Sequence, residues 1–202
     1  MPDRPPCKAQ LRAEMRRRRL GLSPSAQSIA ARAITNYIPR LPCWTGADRV
    51  ALYLANAGEV DTTPLGALCR TAGKRLFLPV IAPDNTLVFA AWAQDGELIP
   101  NRFGIPEPPP EAERCAASGL DIIFLPLVAW DRLGGRLGMG GGFYDRTLAG
   151  VEGVTLVGMA HALQEVPQVP CDDWDVQLNF VVTDTALHHC QGAGQHQDIS
   201  PG

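Results

Sequence analysis

Apolar positions along the chain change period several times, and each change predicts an element. Over residues 8–20, Leu11 and Met15 mark an apolar side, while Lys8, Arg12, Arg16 and Arg19 recur at spacings of four, four and three. That is a helical repeat carrying one basic stripe. Ser23-Pro24 joins a capping hydroxyl to a first-turn proline and predicts a second helix running to about Tyr37. Val50–Leu54 is a short apolar run and predicts a buried strand. Thr62-Thr63-Pro64 opens a third helix that ends before Gly73. Strands are then predicted at Arg75–Val80, Leu87–Ala93, Ile122–Leu125, Thr155–Met159 and Phe180–Val182. Pro100 to Pro110 reads as an extended, surface-hugging connection.

Strands that are apolar on both faces must be covered on both faces, and here they alternate with helices. The predicted class is therefore α/β: a single-domain, three-layer α/β/α fold with a mainly parallel central sheet, Rossmann-like. Residues 1–187 form the expected domain, and the polar segment 188–202 is expected to be a disordered tail. Such folds bind ligands beyond the carboxyl ends of their strands. No internal repeat is present.

Bulk composition narrows the function classes. The 202 residues are 46% hydrophobic, ordinary for a globular chain. A net charge of −3 argues against general nucleic-acid binding. No apolar run approaches the roughly 20 residues of a membrane span, and Met1-Pro2-Asp3-Arg4-Pro5-Pro6 lacks an apolar signal core. Cys7, Cys43, Cys69, Cys115, Cys171 and Cys190 are scattered without a C-x-x-C pair, which fits reduced thiols in a cytoplasmic protein.

The most informative segment is glycine-rich: six glycines fall between Gly134 and Gly142, and Phe143-Tyr144-Asp145-Arg146 follow at once. A predicted strand precedes the segment, and a helix start, Tyr144 to Ala149, follows it. Glycines let backbone N–H groups turn toward a ligand, and successive inward N–H groups make an anion site. This order favours phosphate binding over a purely structural turn, although neither G-x-x-x-x-G-K-[ST] nor G-x-G-x-x-G is present. Arg136 supplies a cation for phosphate oxygens, and Asp145 a carboxylate suited to magnesium. Elsewhere the residues alone are less specific. The basic stripe reads equally as a solvated face, and Asp172, Asp173 and Asp175 as an acidic surface loop. Glu59 and Asp61 follow a strand end, with Asp61 suited to capping the next helix. Phe103 reads equally as a ring that stacks on an aromatic substrate and as a packing anchor, and Phe143 and Tyr144 can act similarly beside the loop. His161 reads as a structural histidine. His188, His189, Cys190 and His196 are weak metal candidates in the tail.

The wording of several segments resembles the 5-formyltetrahydrofolate cyclo-ligases, also called methenyltetrahydrofolate synthetases. The resemblance is carried by Pro126-Leu127-Val128-Ala129-Trp130-Asp131, Gly135-Arg136-Leu137-Gly138 and Gly140-x-Gly142-Phe143-Tyr144-Asp145-Arg146-x-Leu148. Weaker matches occur in the family's order: Lys8-x-x-Leu11-Arg12, Arg18-Arg19-x-x-Leu22-Ser23, Ala51-Leu52-Tyr53-Leu54, Gly58-Glu59-Val60-Asp61-Thr62, Gly73-Lys74-Arg75-Leu76-x-Leu78-Pro79, Phe103-Gly104-Ile105-x-Glu107-Pro108 and Trp174-Asp175-Val176-x-Leu178. Together they span roughly residues 8 to 185.

The resemblance implies an ATP- and magnesium-dependent ligase of one-carbon metabolism that turns 5-formyltetrahydrofolate into 5,10-methenyltetrahydrofolate, ADP and phosphate. It implies an ATP site of Lys8, Arg12, Arg136, Leu137, Gly138, Met139, Gly140, Gly141, Gly142, Phe143 and Tyr144, with Arg136 and Asp145 catalytic. It implies folate contacts from Leu54 and Glu59, joined by Phe103 and Tyr144, and magnesium on Asp145 and Asp175. Some relatives have lysine where this chain has Gly141, and His or Asn where it has Trp174. Reduced folate and ATP are the expected partners, with no nucleic acid or membrane, in a monomer or weak homodimer. Two other readings remain open: a folate- or nucleotide-binding protein without turnover, and an α/β enzyme acting on another phosphorylated metabolite.

Overall fold

A computed structural model describes residues 7–94, 96–101 and 104–190. Three helices open the chain: α1 (Lys8–Leu20), α2 (Pro24–Tyr37) and, after strand β1 (Arg49–Ala51), α3 (Thr63–Thr71). Their starts follow the local chemistry. The Ser23 hydroxyl accepts a hydrogen bond from Ala26 N–H at 3.2 Å, with Pro24 in the first turn of α2. Asp61 accepts from the N–H and hydroxyl of Thr63 at 2.9 and 2.7 Å, as expected of a residue that fixes the entry to α3.

The remaining strands are β2 (Arg75–Ile81), β3 (Leu87–Ala91), β4 (Ile99–Pro100), β5 (Pro106–Glu107), β6 (Arg114–Cys115), β7 (Ile122–Pro126), β8 (Ala129–Trp130), β9 (Arg136–Leu137), β10 (Thr155–Met159), β11 (Phe180–Val182) and β12 (Leu187–His189); helix α4 (Phe143–Leu148) lies between β9 and β10. Eight strands form one sheet in the order β12-β11-β10-β7-β1-β2-β3-β6. From β11 to β2 all neighbours are parallel; β12, β3 and β6 pair antiparallel at the two margins. Side chains alternate between the two faces of a strand, so each strand feeds two cores. Val50, Leu76, Ile122, Phe124 and Val157 face the cluster covered by α2 and α3, built around Ile34, Ile38 and Leu65. Ala51, Phe77, Ile123, Leu125 and Val181 face the opposite cluster, which takes in Trp130 and Leu148. The mainly parallel α/β sheet is the class that the alternating apolar runs predict.

Two sequence expectations need correction. The tail does not begin at 188: Leu187–His189 form β12, paired with Phe180–Val182, and Cys190 is buried. Pairing covers the margin of β11, so local polarity is outweighed by ladder hydrogen bonds. His188 and His189 therefore sit in a strand, and His196 lies outside the described residues. The basic stripe of α1 also divides. Arg19 is 1% exposed and extends the buried side of Leu11 and Met15, while Arg16 is on the surface. Eight residues is a little over two helical turns, so Arg19 returns to the side of Leu11.

Candidate active site

The ends of β2 and β7, with the turn after β1, open onto a cavity of about 650 Å³, within the range of small-molecule sites. Its walls come from distant parts of the chain: Lys8 and Arg12 from α1, Glu59 from the turn after β1, Pro79 and Ile81 from β2, and Pro126 and Leu127 from β7. Residues Arg136 to Arg146, with Asp172, Trp174 and Asp175, form most of the rest, and Leu87, Ile105, Glu107 and Ala149 complete it.

The glycine segment divides into a structural half and an open half. Gly134 and Gly135 are buried. A Cβ on Gly134 would lie 2.6 Å from the Leu178 carbonyl oxygen, and one on Gly135 would lie 2.5 Å from a carboxylate oxygen of Asp131. These two glycines are required by packing, with Asp131 as the organising group. Beyond the β8–β9 hairpin the loop turns outward, with φ of +101° at Gly140 and +65° at Gly142. The N–H groups of Met139, Gly140 and Gly141 donate to no acceptor among the described residues. Arg12 lies against this loop, its Nε donating to the Gly138 carbonyl at 2.8 Å. Helix α4 has only six residues. What this loop offers an anion is therefore its N–H groups and the neighbouring cations, more than a helix dipole.

Each of two cations in the cavity faces a carboxylate. Arg136 Nη2 meets Asp145 Oδ1 at 2.6 Å, with the arginine side chain 3% exposed. Lys8 Nζ meets Asp175 Oδ2 and Asp172 Oδ2, both at 2.6 Å. Burial pushes the Asp175 carboxyl up, but the hydrogen bonds from Lys8 and the Asp172 N–H outweigh it and hold it below the usual carboxylate range. Burial likewise opposes the charge on Lys8, and Asp172 and Asp175 together hold its ammonium above the usual range. The expected metal pair, Asp145 and Asp175, thus lines one cavity, although no group of three metal-binding side chains occurs among the described residues.

Glu59 reaches the other side of the cavity. Burial raises its carboxyl above the usual range, opposed by the Asn56 N–H, which donates to Oε2 at 3.1 Å, and by the charge of Arg19. Tyr144 also lines the cavity, beneath the Arg136 guanidinium at 5.7 Å from the ring centre. Its hydroxyl is pushed up by burial. Phe143 is part of the wall as well. Of the sequence-derived site residues, Leu54 is the exception: it is half-buried against the core shared with α2 and α3, and it does not line the cavity. Strand β1 ends at Ala51, so Leu54 lies in the irregular segment after it and falls on the core side. Phe103 lies outside the described residues.

Several cavity residues, among them Glu107, Arg146 and Trp174, were not legible as such. Glu107 accepts from the Asn101 side chain at 2.7 Å and from Ile81 N–H at 3.3 Å. Arg146 bridges the Asn85 and Gly141 carbonyls. Trp174, 69% exposed, stands at the rim beside Asp175. Glu107 and Arg146 fall inside segments quoted above, but no periodicity shows that their side chains turn back to one cavity. His161, by contrast, is the buried structural histidine expected, with Nε2 at 3.3 Å from the Gly58 carbonyl.

Comparison with known proteins adds a family. A family model described as the 5-formyltetrahydrofolate cyclo-ligase family matches residues 5–184. A 5-formyltetrahydrofolate cyclo-ligase of Escherichia coli is 40% identical over 174 residues, covering 84% of this chain and 96% of that protein. One from Haemophilus influenzae is 37% identical over 174 residues, covering 84% and 93%. Among solved structures, a 5,10-methenyltetrahydrofolate synthetase of Aquifex aeolicus superposes with a TM-score of 0.80 at 31% identity, covering 96% of this chain and 99% of that one.

Proposed function

The chain belongs to the 5-formyltetrahydrofolate cyclo-ligase family and is an enzyme, and from that premise we propose that it closes 5-formyltetrahydrofolate to 5,10-methenyltetrahydrofolate at the expense of ATP. The formyl oxygen attacks the γ-phosphorus, an O–P bond forms, and the bond to ADP breaks. N10 then attacks the activated formyl carbon, the C–O bond breaks, phosphate leaves and N10 gives up its proton. An amide-like oxygen is a poor leaving group until phosphorylated, so no side-chain nucleophile is needed. Positioning and charge neutralisation carry the rate, as in other phosphoryl transfers.

The observation that supports this reading most is the meeting, in one cavity, of a loop with open N–H groups, the paired cations Lys8 and Arg136, and the half-buried Glu59. The loop and cations suit a polyphosphate. Glu59 suits a ring edge with N–H donors such as a pterin. The charge count bears on magnesium. Lys8, Arg12, Arg136 and Arg146 face five carboxylates: Glu59, Glu107, Asp145, Asp172 and Asp175. A bare triphosphate would enter a cavity with no surplus of positive charge. Magnesium fits this donor set, held by Asp145 and Asp175 together with phosphate oxygens, and when bound it would neutralise part of the triphosphate charge. Arg136 and Lys8 would then turn from their carboxylates toward phosphate.

The test is incubation of the purified protein with 5-formyltetrahydrofolate, ATP and magnesium, following the near-ultraviolet absorbance of the methenyl product, with ATP omitted as control. ATP-dependent product supports the reading. Folate binding without product would mark a sequestering protein, and absence of both would mean that this cavity takes another ligand.

A further inference from the structure

Arg19 is buried in a place where stability alone favours an apolar residue. It follows Leu11 and Met15 on the inward side of α1, is 1% exposed, and makes no ion pair among the described residues. Its Nε donates to the Ala57 carbonyl and its Nη1 to the Leu127 carbonyl, both at 3.1 Å. Nη2 is buried without a hydrogen-bond partner among the described residues. A buried guanidinium without a contacting counter-ion costs stability.

The two carbonyls belong to the two loops that form the Glu59 side of the cavity. Ala57 and Gly58 are both left-handed, at φ +48° and +77°, in the turn that aims Glu59. Leu127 follows β7 and lines the cavity, as does Glu59. Arg19 therefore clamps the turn to the end of β7 from behind the wall. His161, on the same side, approaches the Gly58 carbonyl. The charged and titratable groups around this point are few. Glu59 from the turn, Tyr53 just after β1 and Arg16 from α1 face Arg19, with His161 nearby, while Tyr53 and Tyr144 face Glu59, Tyr53 with Asp61 beside it and Tyr144 with Arg136. Of these, Glu59 is the main group whose charge favours the guanidinium.

We propose that Arg19 is a positioning residue of the folate subsite: it holds the Glu59 turn against β7 and presents a buried positive charge to the Glu59 carboxylate, which must be ionised to accept the ring N–H donors of the substrate. This rests on the folate reading given above. Glu59 already resists ionisation through burial, and Arg19 is one of the two groups opposing that resistance. Loss of the Arg19 charge should therefore make Glu59 take up a proton at a higher pH and weaken folate binding without touching the phosphate side.

The experiment compares full-length Arg19→Met and Arg19→Lys with wild type. In Arg19→Met, KM for 5-formyltetrahydrofolate should rise about tenfold, with kcat and the KM for ATP within about threefold of wild type. The acid limb of kcat/KM for folate should move to higher pH by about half a unit or more. Arg19→Lys should restore much of both. A folded Arg19→Met with unchanged folate KM and an unmoved acid limb overturns the proposal. If Arg19→Met does not fold, Arg19→Gln takes its place as the neutral variant, and equal acid limbs in Arg19→Gln and Arg19→Lys overturn it equally. Wild type without turnover would refute the reaction instead. Direct folate titration then decides the inference, with equal affinities in wild type and variant, or no wild-type binding, counting against it.

Discussion

Replacing Asp131 by asparagine removes one charge and one acceptor from the hairpin that leads into the glycine loop. Asp131 is 3% exposed. Its Oδ1 accepts from the N–H groups of Leu133 at 3.0 Å and Gly135 at 2.9 Å, and its Oδ2 accepts from Val169 at 2.8 Å. An asparagine can keep Oδ1 in place, but its amide nitrogen then faces the Val169 N–H, donor against donor. Turning the amide over is worse, because it sets the nitrogen against two N–H groups. The loss is one hydrogen bond to a charged group, with the Val169 N–H and the asparagine amide both left as buried donors without an acceptor there, offset in part by relief of carboxylate desolvation, for a net of about 3 kcal/mol. For a domain of this size that lowers Tm by about 6–12 °C. Thermal unfolding followed by circular dichroism reads it directly. A Tm within about 2 °C of wild type, equivalent to less than about 1 kcal/mol, would refute the claim that Asp131 organises this hairpin.

Other outcomes follow from the same geometry. Arg136→Ala should lower kcat by at least about 100-fold, since it removes the preorganised cation proposed to meet the phosphates, while far-ultraviolet circular dichroism stays unchanged; near-normal turnover would exclude Arg136 from catalysis. Gly140→Ala must hold a side chain at φ +101°, which costs about 1–3 kcal/mol. Its KM for ATP should rise about tenfold as the loop shifts, and an unchanged KM would show that the loop does not hold the nucleotide. Burial lowers the pKa of His161 below its ordinary value, despite the nearby Gly58 carbonyl and Asp184. The unfolded chain therefore takes up the proton first, and stability falls as pH drops from the ordinary histidine value, near 6.5, toward the lowered one. His161→Asn should flatten the dependence of Tm on pH in that window, and an unchanged slope would assign it to other groups.

Much of the fold was legible because each of its elements is short-range. The helix repeat of 8–20, the Ser23-Pro24 cap and the apolar runs at 75–80, 122–125 and 155–159 depend on neighbours in sequence, and the structure follows them to within a residue or so. The glycine segment was legible for a similar reason, since turn geometry and backbone exposure are properties of adjacent residues. Its division was not: that Gly134 and Gly135 serve packing while Gly140 and Gly141 face the cavity depends on Leu178 and Asp131.

Periodicity reports which side of an element differs from the other, but it does not say what that side meets. The basic and apolar residues of α1 set a helix, yet only docking against the β1 and β7 loops made Arg19 buried and left Lys8 and Arg12 at the cavity. Leu54, for which the resemblance implies a folate contact, packs against the core and does not line the cavity. Likewise β12 has the composition of a tail and becomes a strand because β11 offers it an unpaired margin. Lys8 and Asp175 stand 167 positions apart and 2.6 Å from each other. Local sequence determined the helices, the strands and the glycine turn, because these are fixed by interactions a few residues long. The charged constellation of the cavity was decided by the sheet order, because only tertiary packing brings the ends of β2 and β7 and the turn after β1 to one place.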